Sequence, residues 1–571
     1  MPCSINPFPA LAGIVVVLSL HFTPFTYAYS ESPWTWRCSD GISCQRQLAN
    51  GSEPQVSLNV CWLTCGEYGA LWPQPTIKTF MGTHLVGFYA QNAEVVAINA
   101  PHKAVKAMLG YAGNVLLDHL FRMSPKDDDV SPSQNNRGFE QNYLAITLTA
   151  QNTDTRISLG TDESYNLTIS AFYGSGGTQV NVDIVGATYF GVRHGLETLG
   201  QLIAHDEFNK CLRIVKEAAI EDRPAFAYRG LMIDTSRNFI PILYLKRMVD
   251  AMSYNRMMTT YGAYSKSQIY TPKDVKELVL YARLRGVKII PELDAPAHAG
   301  NGWQWGPEEG LGELALCVNA EPWRSYCGQP PCGQLNPVNN YTYLVLKIRN
   351  WLHNKGTHDL MDLWGHFQQK AFERLIEANG GHYIKPIVWT SDMTSRGRQH
   401  LSPNDYIIQI WTGSSHTDVR EILQEKYKVI ISNVDAAYLD HGYGSWLGRD
   451  HMWTIKTWQN LYDNDLIKIT EYHLGANATY HVLAAGQILG GEAVLWAEKV
   501  DQHNMEMKLW PRSAAFAERL WSSPRNRSNS VYPRLLHHRA RMVRRGIHAD
   551  RLQPESCHQI SGYCSDPSSR L

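Results

Sequence analysis

From Pro224 onward, short apolar runs with no polar alternation alternate with longer stretches of helical periodicity. A strand that is apolar throughout has to be covered on both faces. A chain that repeats such strands between helices covers them as a parallel sheet with crossover helices. The pattern restricts this part of the chain to an α/β sheet or barrel. Six strands are expected, at Gly230–Asp234, Val287–Leu293, Pro386–Thr390, Tyr406–Trp411, Val429–Asn433 and Glu492–Glu498. Several deliver an acidic or aromatic residue at the carboxyl end: Asp234, Asp294, Trp389, Trp411, Asp435 and Glu498. Core packing alone does not gather such groups at one end of successive strands, whereas a TIM barrel builds its site there. The fullest example is VKIIPELDAPAHAGNGW, Val287 to Trp303, where an apolar strand runs into a turn carrying Glu292, Asp294, His298 and Trp303. Read by itself, that stretch also fits a buried strand followed by an ordinary rigid loop.

The expected fold is α/β, a (β/α)8-type TIM barrel over residues 224–571 with about six of eight strands recognisable, preceded by a smaller α+β domain at 73–223. In that domain Ala104–Met123 has helical periodicity. Leu144/Ile146/Leu148, Tyr165/Leu167/Ile169 and Val180/Val182/Ile184 alternate as strands buried on one face do. Tyr189, Val192, Leu196, Leu199 and Leu202 form the apolar stripe of a second helix, and Ser124–Arg137 reads as a loop. Residues 29–72 form a Cys- and Trp-rich approach, and residues 1–28 read as a signal peptide. There an apolar run, Ala10–Leu20, precedes Thr26-Tyr27-Ala28, although no Lys or Arg precedes the run and a retained anchor is the alternative.

With 53 basic and 53 acidic side chains, the chain offers no electrostatic case for nucleic acid or an anionic membrane. Its 17 Trp and 29 Tyr are a heavy aromatic load; most fit a core, and exposed rings are a common way to stack on sugar faces. Ten of the eleven cysteines follow the leader, an even number that in a secreted chain suggests disulfides of undetermined connectivity. They lack Cys-x-x-Cys pairs with nearby His, so no metal site is expected. Five N-x-S/T sequons, at Asn50, Asn166, Asn340, Asn477 and Asn526, complete a secretory glycoprotein reading, extracellular or lysosomal.

Six motifs then converge: YRGLMIDTSRN at Tyr228–Asn238, PELDAPAHAGNGW, CGQLNP at Cys332–Pro337, IIQIWTG, SNVDAAYLD and GGEAVLWAE. Together they resemble glycoside hydrolase family 20, the β-N-acetylhexosaminidases, and within it the chitooligosaccharide-degrading branch, with N-glycan-trimming relatives close. The resemblance extends from about Trp34 to the Cys564 tail. It implies an N-acetylglucosamine-containing oligosaccharide as partner, no cofactor and no metal, and it keeps a homodimer open. Carried over by position, Arg229 would bind hydroxyls of the terminal sugar; on residues alone, an Arg before a strand is more often a surface or salt-bridge residue. His298 would join the proton relay around a general acid, with Asp294 bracing the turn. Trp389, Trp411 and Trp496 would wall the pocket, Tyr438 would meet the acetamido oxygen, and Asp440 and Glu498 would take hydroxyls. Trp323, with Trp446, would line outer subsites.

The mechanism implied is substrate-assisted: the acetamido oxygen attacks the anomeric carbon, a Glu protonates the leaving oxygen, and the preceding Asp orients the acetamido group. That Asp-Glu pair belongs between Asn336-Pro337 and Leu363-Trp364-Gly365-His366-Phe367. Here the chain reads NNYTYLVLKIRNWLHNKGTHDLMD, with no strand pattern and no Asp-Glu. The two Asp-Glu pairs in the sequence, Asp162-Glu163 and Asp206-Glu207, lie in the amino-terminal domain. A second gap follows Asn255-Arg256-Met257-Met258, which runs straight into Thr259-Thr260-Tyr261 where a second strand belongs. No general acid and no acetamido-orienting Asp are found. Two readings follow: a β-N-acetylhexosaminidase by descent whose chain has lost two segments, or a non-catalytic N-acetylglucosamine-binding protein.

Overall fold

A computed structural model describes residues 32–39, 41–124, 139–255, 268–300, 303–304, 306–330, 332–337, 339, 360–395, 400–447 and 453–559. The leader, most of the loop expected at Ser124–Arg137, and both sequence gaps lie outside these residues.

The Cys-rich approach is a hairpin, Trp34–Ser39 with Ser43–Leu48, held to the Leu58–Thr64 helix by Cys38–Cys65 and Cys44–Cys61. A third disulfide joins Cys327 to Cys332, Cys557 is also disulfide-bonded, and Cys211 and Cys317 are free thiols. The amino-terminal unit is built on a six-stranded mixed sheet in the order Lys78–Met81, Glu217–Asp222, Tyr165–Gly174, Gly177–Gly186, Tyr143–Ala150 and Ala93–Asn99. All three alternating runs form strands here. Leu144, Ile146, Leu148, Leu167, Ile169, Val180, Val182 and Ile184 share one buried core with the Lys103–Met123 and Tyr189–Gln201 helices. Thr188 caps the second helix by accepting from the Phe190 and Gly191 amides.

The carboxyl-terminal unit carries five parallel strands in the order Tyr228–Ile233, Ile488–Leu495, Lys428–Ile431, Ile407–Ile410 and Ile387–Trp389. Five of the six expected strands are therefore present and adjacent, and among the described residues the sheet is open at both ends. The sixth is a correction. Val287–Leu293 is extended but belongs to no ladder, and Leu293 is 89% exposed. Val287 stays in the core and Ile289 packs against it, so the apolar pattern still places the segment. A strand also needs hydrogen-bonded neighbours, and no described strand flanks this one.

Trp72 and Trp521 tie the two units together. The Trp72 indole donates to Ala514 O at 3.1 Å, and its backbone N–H donates to Gln201 Oε1 at 2.8 Å. Trp521, from the Arg512–Ser522 helix, is fully buried in the amino-terminal core and donates to Asp222.

Gly490, at the start of the Ile488–Leu495 strand, has φ +147°, and a Cβ there would stand 1.8 Å from Tyr228 O in the paired strand. Gly490→Ala is expected to part the two strands that carry most of the site, at a cost of about 1–3 kcal/mol or more. Denaturant unfolding checks this: a midpoint equal to that of the parent would contradict the close approach.

Candidate active site

The carboxyl ends of these strands bring together most of the expected pocket residues. Trp389 ends the Ile387–Trp389 strand, and Trp496 follows Leu495, three strands away in the sheet. Their ring centroids are 6.3 Å apart at 42°. Both pack on a buried group made of Met232, Tyr438 and Val494. Tyr438 reaches this position through a parallel bridge to Val494, and burial raises its phenol well above the ordinary value. Trp411 follows the next strand, donates its indole N–H to Thr390 O at 2.8 Å, and leaves 43% of its surface exposed. Trp389, Trp496 and the buried Tyr438 are therefore adjacent, and Trp411 stands beside Thr390, the residue after Trp389.

Around them stand carboxyl groups. Asp440 Oδ1 accepts from the Trp496 amide at 3.4 Å, and burial, reinforced by the charge of Glu498, pushes Asp440 up to about 7. Glu498 is also raised by burial, while Arg237 and His298 pull it back down. Asp294 and His298 pair at 2.7 Å in the exposed turn, and His298 takes a left-handed φ of 58°. Trp323 sits apart on a short turn, Trp323–Ser325, near the Cys327–Cys332 disulfide. Among the described residues its ring meets Arg324 and no pocket side chain.

Arg229 is a correction. It lies near the amino end of its strand, the end opposite the pocket, and is 6% exposed. Its Nη2 donates to both oxygens of Glu163 at 2.8 and 2.9 Å, its Nη1 donates to Phe226 O at 2.7 Å, and its carbon lies 5.0 Å over the Trp521 ring. Burial alone would raise Glu163, but Arg229 and His194, 2.9 Å away, hold it down at about 2. The guanidinium is thus committed to joining the two units, as the salt-bridge alternative in the sequence allowed.

The arginine at the pocket is Arg237, three residues past Asp234 at the carboxyl end of the same strand. Its carbon lies 4.9 Å over the Trp496 ring, and its Nη1 is 3.5 Å from Asp234 Oδ2. Asp234 also accepts from the Ser236 and Ala497 amides, which fixes the rim between the first and last strands. Position along the strand was the available signal for Arg237, because barrel sites form at carboxyl ends.

Two further carboxyls were not singled out for the site. Glu292 accepts from the Trp389 indole at 3.0 Å, and burial, opposed by that bond but supported by Glu492, Asp294 and Asp234, pushes it up to about 7. Glu492, deep in the sheet, accepts from Tyr228 and Gln409 and is raised by burial. This end of the sheet therefore combines aromatic rings, a guanidinium and several carboxyls whose titration burial raises. Such groups match the apolar faces and hydroxyls of an uncharged sugar.

The raised values also set a pH dependence. Asp440 and Glu292 have ordinary values of 3.8 and 4.5 and folded values of about 7. The folded state binds the extra protons, so their contribution to stability is full below the ordinary values and is lost as pH rises through about 7. Melting temperature is expected to fall between pH 5 and 8, and Asp440→Asn or Glu292→Gln to flatten that fall. A slope unchanged in both variants would contradict it.

Sequence comparison decides the family. The model of the glycosyl hydrolase family 20 catalytic domain matches residues 226–259, 257–348 and 346–524, and a beta-acetyl hexosaminidase-like model matches 71–202. The chain belongs to glycosyl hydrolase family 20. By family it is a glycosidase of the β-N-acetylhexosaminidase kind. It is 33% identical over 616 positions to a chitooligosaccharidolytic beta-N-acetylglucosaminidase of Ostrinia furnacalis, covering 96% of this chain and 98% of that one. It is 34% identical to a protein of the same description from Bombyx mori, covering 94% and 96%. The fold resembles a Flavobacterium johnsoniae chitobiase structure, with a TM-score of 0.59 at 22% identity over 84% of this chain and 73% of that one. The joints of the three-piece family match, at 257–259 and 346–348, fall at the two gaps read in the sequence. The Ostrinia alignment, at 616 positions, is longer than the 571 residues available, so the moth protein has residues opposite gaps in this chain.

Proposed function

We propose that this family 20 chain binds the terminal N-acetylglucosamine of chitooligosaccharides between Trp389 and Trp496, and that it has lost the acid and acetamido-orienting residues of the substrate-assisted mechanism. The observation that supports the reading is the coincidence of the facing Trp389 and Trp496 rings at the carboxyl ends of the strands with family-match joints where the Asp-Glu strand and its neighbour belong. In this reading Trp389, Trp411 and Trp496 wall the sugar, Tyr438 meets the acetamido oxygen, and Asp440 and Glu498 accept from hydroxyls. Arg237 takes the role first given to Arg229. Asp294 and His298 support a relay whose acid is missing, and Trp323 belongs at most to an outer subsite. The five contiguous strands are the remnant of an eight-stranded barrel over 224–571, behind an α+β domain at 73–223. Secretion, to an extracellular or lysosomal destination, and pairing of two copies through their barrels belong to the same reading. An N-glycan terminus is the second substrate consistent with the pocket.

The test is binding of N-acetylglucosamine thiazoline. Removing one charged hydrogen-bond partner costs about 1.5–3 kcal/mol, so Arg237→Ala is expected to weaken binding at least tenfold. Equal affinities in parent and variant would overturn the assignment of the pocket.

A further inference from the structure

Away from the pocket, a cavity of about 680 Å³ opens where the amino-terminal helices meet the carboxyl-terminal helix Tyr532–Arg544 and the Ile242–Asn255 and Pro272–Arg283 helices. Its charges do not balance internally. Glu197 pairs with Arg545 at 2.6 Å and with Arg193 at 3.9 Å, and Asp250 pairs with Arg285. Asp118 lies one helical turn from Arg122 at the rim, and Glu207 acts on Arg544 from a distance. That leaves Arg541 and Arg544 with no carboxylate in contact among the described residues.

Arg541 is bound by neutral acceptors alone: Ala70 O, His537 Nδ1 at 3.0 Å and His538 Nδ1 at 3.2 Å. Both imidazoles are kept neutral, because burial and the neighbouring arginines push them well below the ordinary value. Burial and Arg545 likewise pull Arg541 down to about 9, the direction expected where positive potential is uncompensated. Arg544, at the more open side, donates to Asn59 Oδ1 at 2.7 Å. The Arg544 guanidinium and the remaining N–H groups of Arg541 line a water-accessible space among neutral groups, which suits a planar or tetrahedral oxyanion. The volume exceeds that of a bare ion and lies within the range of small-molecule sites, about 300–1,000 Å³.

From this geometry we infer that the cavity is an oxyanion-binding site, taking a sulfate or phosphate group either as the free ion or as the ester of a small sugar. The site is separate from the sugar pocket and does not depend on hydrolysis. The test titrates the secreted full chain with sodium sulfate and with glucose 6-phosphate, which lacks the 2-acetamido group, by calorimetry at constant ionic strength. Saturable binding is expected, weakened at least fivefold in Arg544→Gln. That variant spares the Arg541 contacts, and circular dichroism confirms its fold; the conservative Arg544→Lys serves should it misfold. Tighter binding of the sugar phosphate than of sulfate identifies the ester as the ligand, and the reverse order identifies the free ion. Absence of saturable binding to either probe, or binding unchanged in a folded Arg variant, overturns the inference.

Discussion

Arg229→Ala is expected to lower stability by about 3–5 kcal/mol, because it leaves a buried carboxylate without its cation. Glu163 is 5% exposed and accepts two bonds from Arg229, so the truncation strands a charge between the two units with only His194 to answer it. The cation over Trp521 is lost as well. The measurement is denaturant unfolding followed by circular dichroism. Loss of stability with thiazoline affinity retained in the folded fraction would match the geometry. Loss of affinity without loss of stability would return Arg229 to the sugar site.

The second large effect is on turnover. A positioned general acid contributes roughly 10²–10⁴-fold, and the group that orients an internal nucleophile secures part of a proximity gain of about 7–11 kcal/mol. With both residues missing from the sequence, hydrolysis of a fluorogenic N-acetylglucosaminide is expected at least about 10⁴-fold below that of a complete family 20 enzyme assayed alongside. Glu292 and Asp440, each pushed up to about 7 by burial, are carboxyls hydrogen-bonded to Trp389 and Trp496 respectively. Should residual turnover appear, its loss in Glu292→Gln or Asp440→Asn would identify the donor. Transcripts read across Met258–Thr259 and Val345–His358 are expected to include a longer form carrying both segments.

Local patterning was legible where one segment decides its own state. The alternation at Leu144–Leu148 and the stripe from Tyr189 to Leu202 each specify a face, and a face is all a strand or helix needs to be recognised. Five of the parallel strands were legible for the same reason. Val287–Leu293 was not, because its apolar run describes burial whereas a strand also needs partners, and among the described residues it has none. Arg229 was misassigned by motif position, since Arg229 and Arg237 share one motif and differ in which end of the strand they occupy. Glu292 and Glu492 owe their raised values to burial by the assembled sheet, opposed by hydrogen bonds from Trp389, Tyr228 and Gln409, partners distant in sequence that no local pattern connects.

The central claim is a competent sugar pocket without its acid. One preparation of the full chain, titrated with N-acetylglucosamine thiazoline and assayed with the fluorogenic N-acetylglucosaminide, tests it most directly. The account predicts saturable binding of the analogue, weakened at least tenfold by Arg237→Ala, together with turnover at least about 10⁴-fold below that of a complete relative. Turnover at the relative's rate would contradict it.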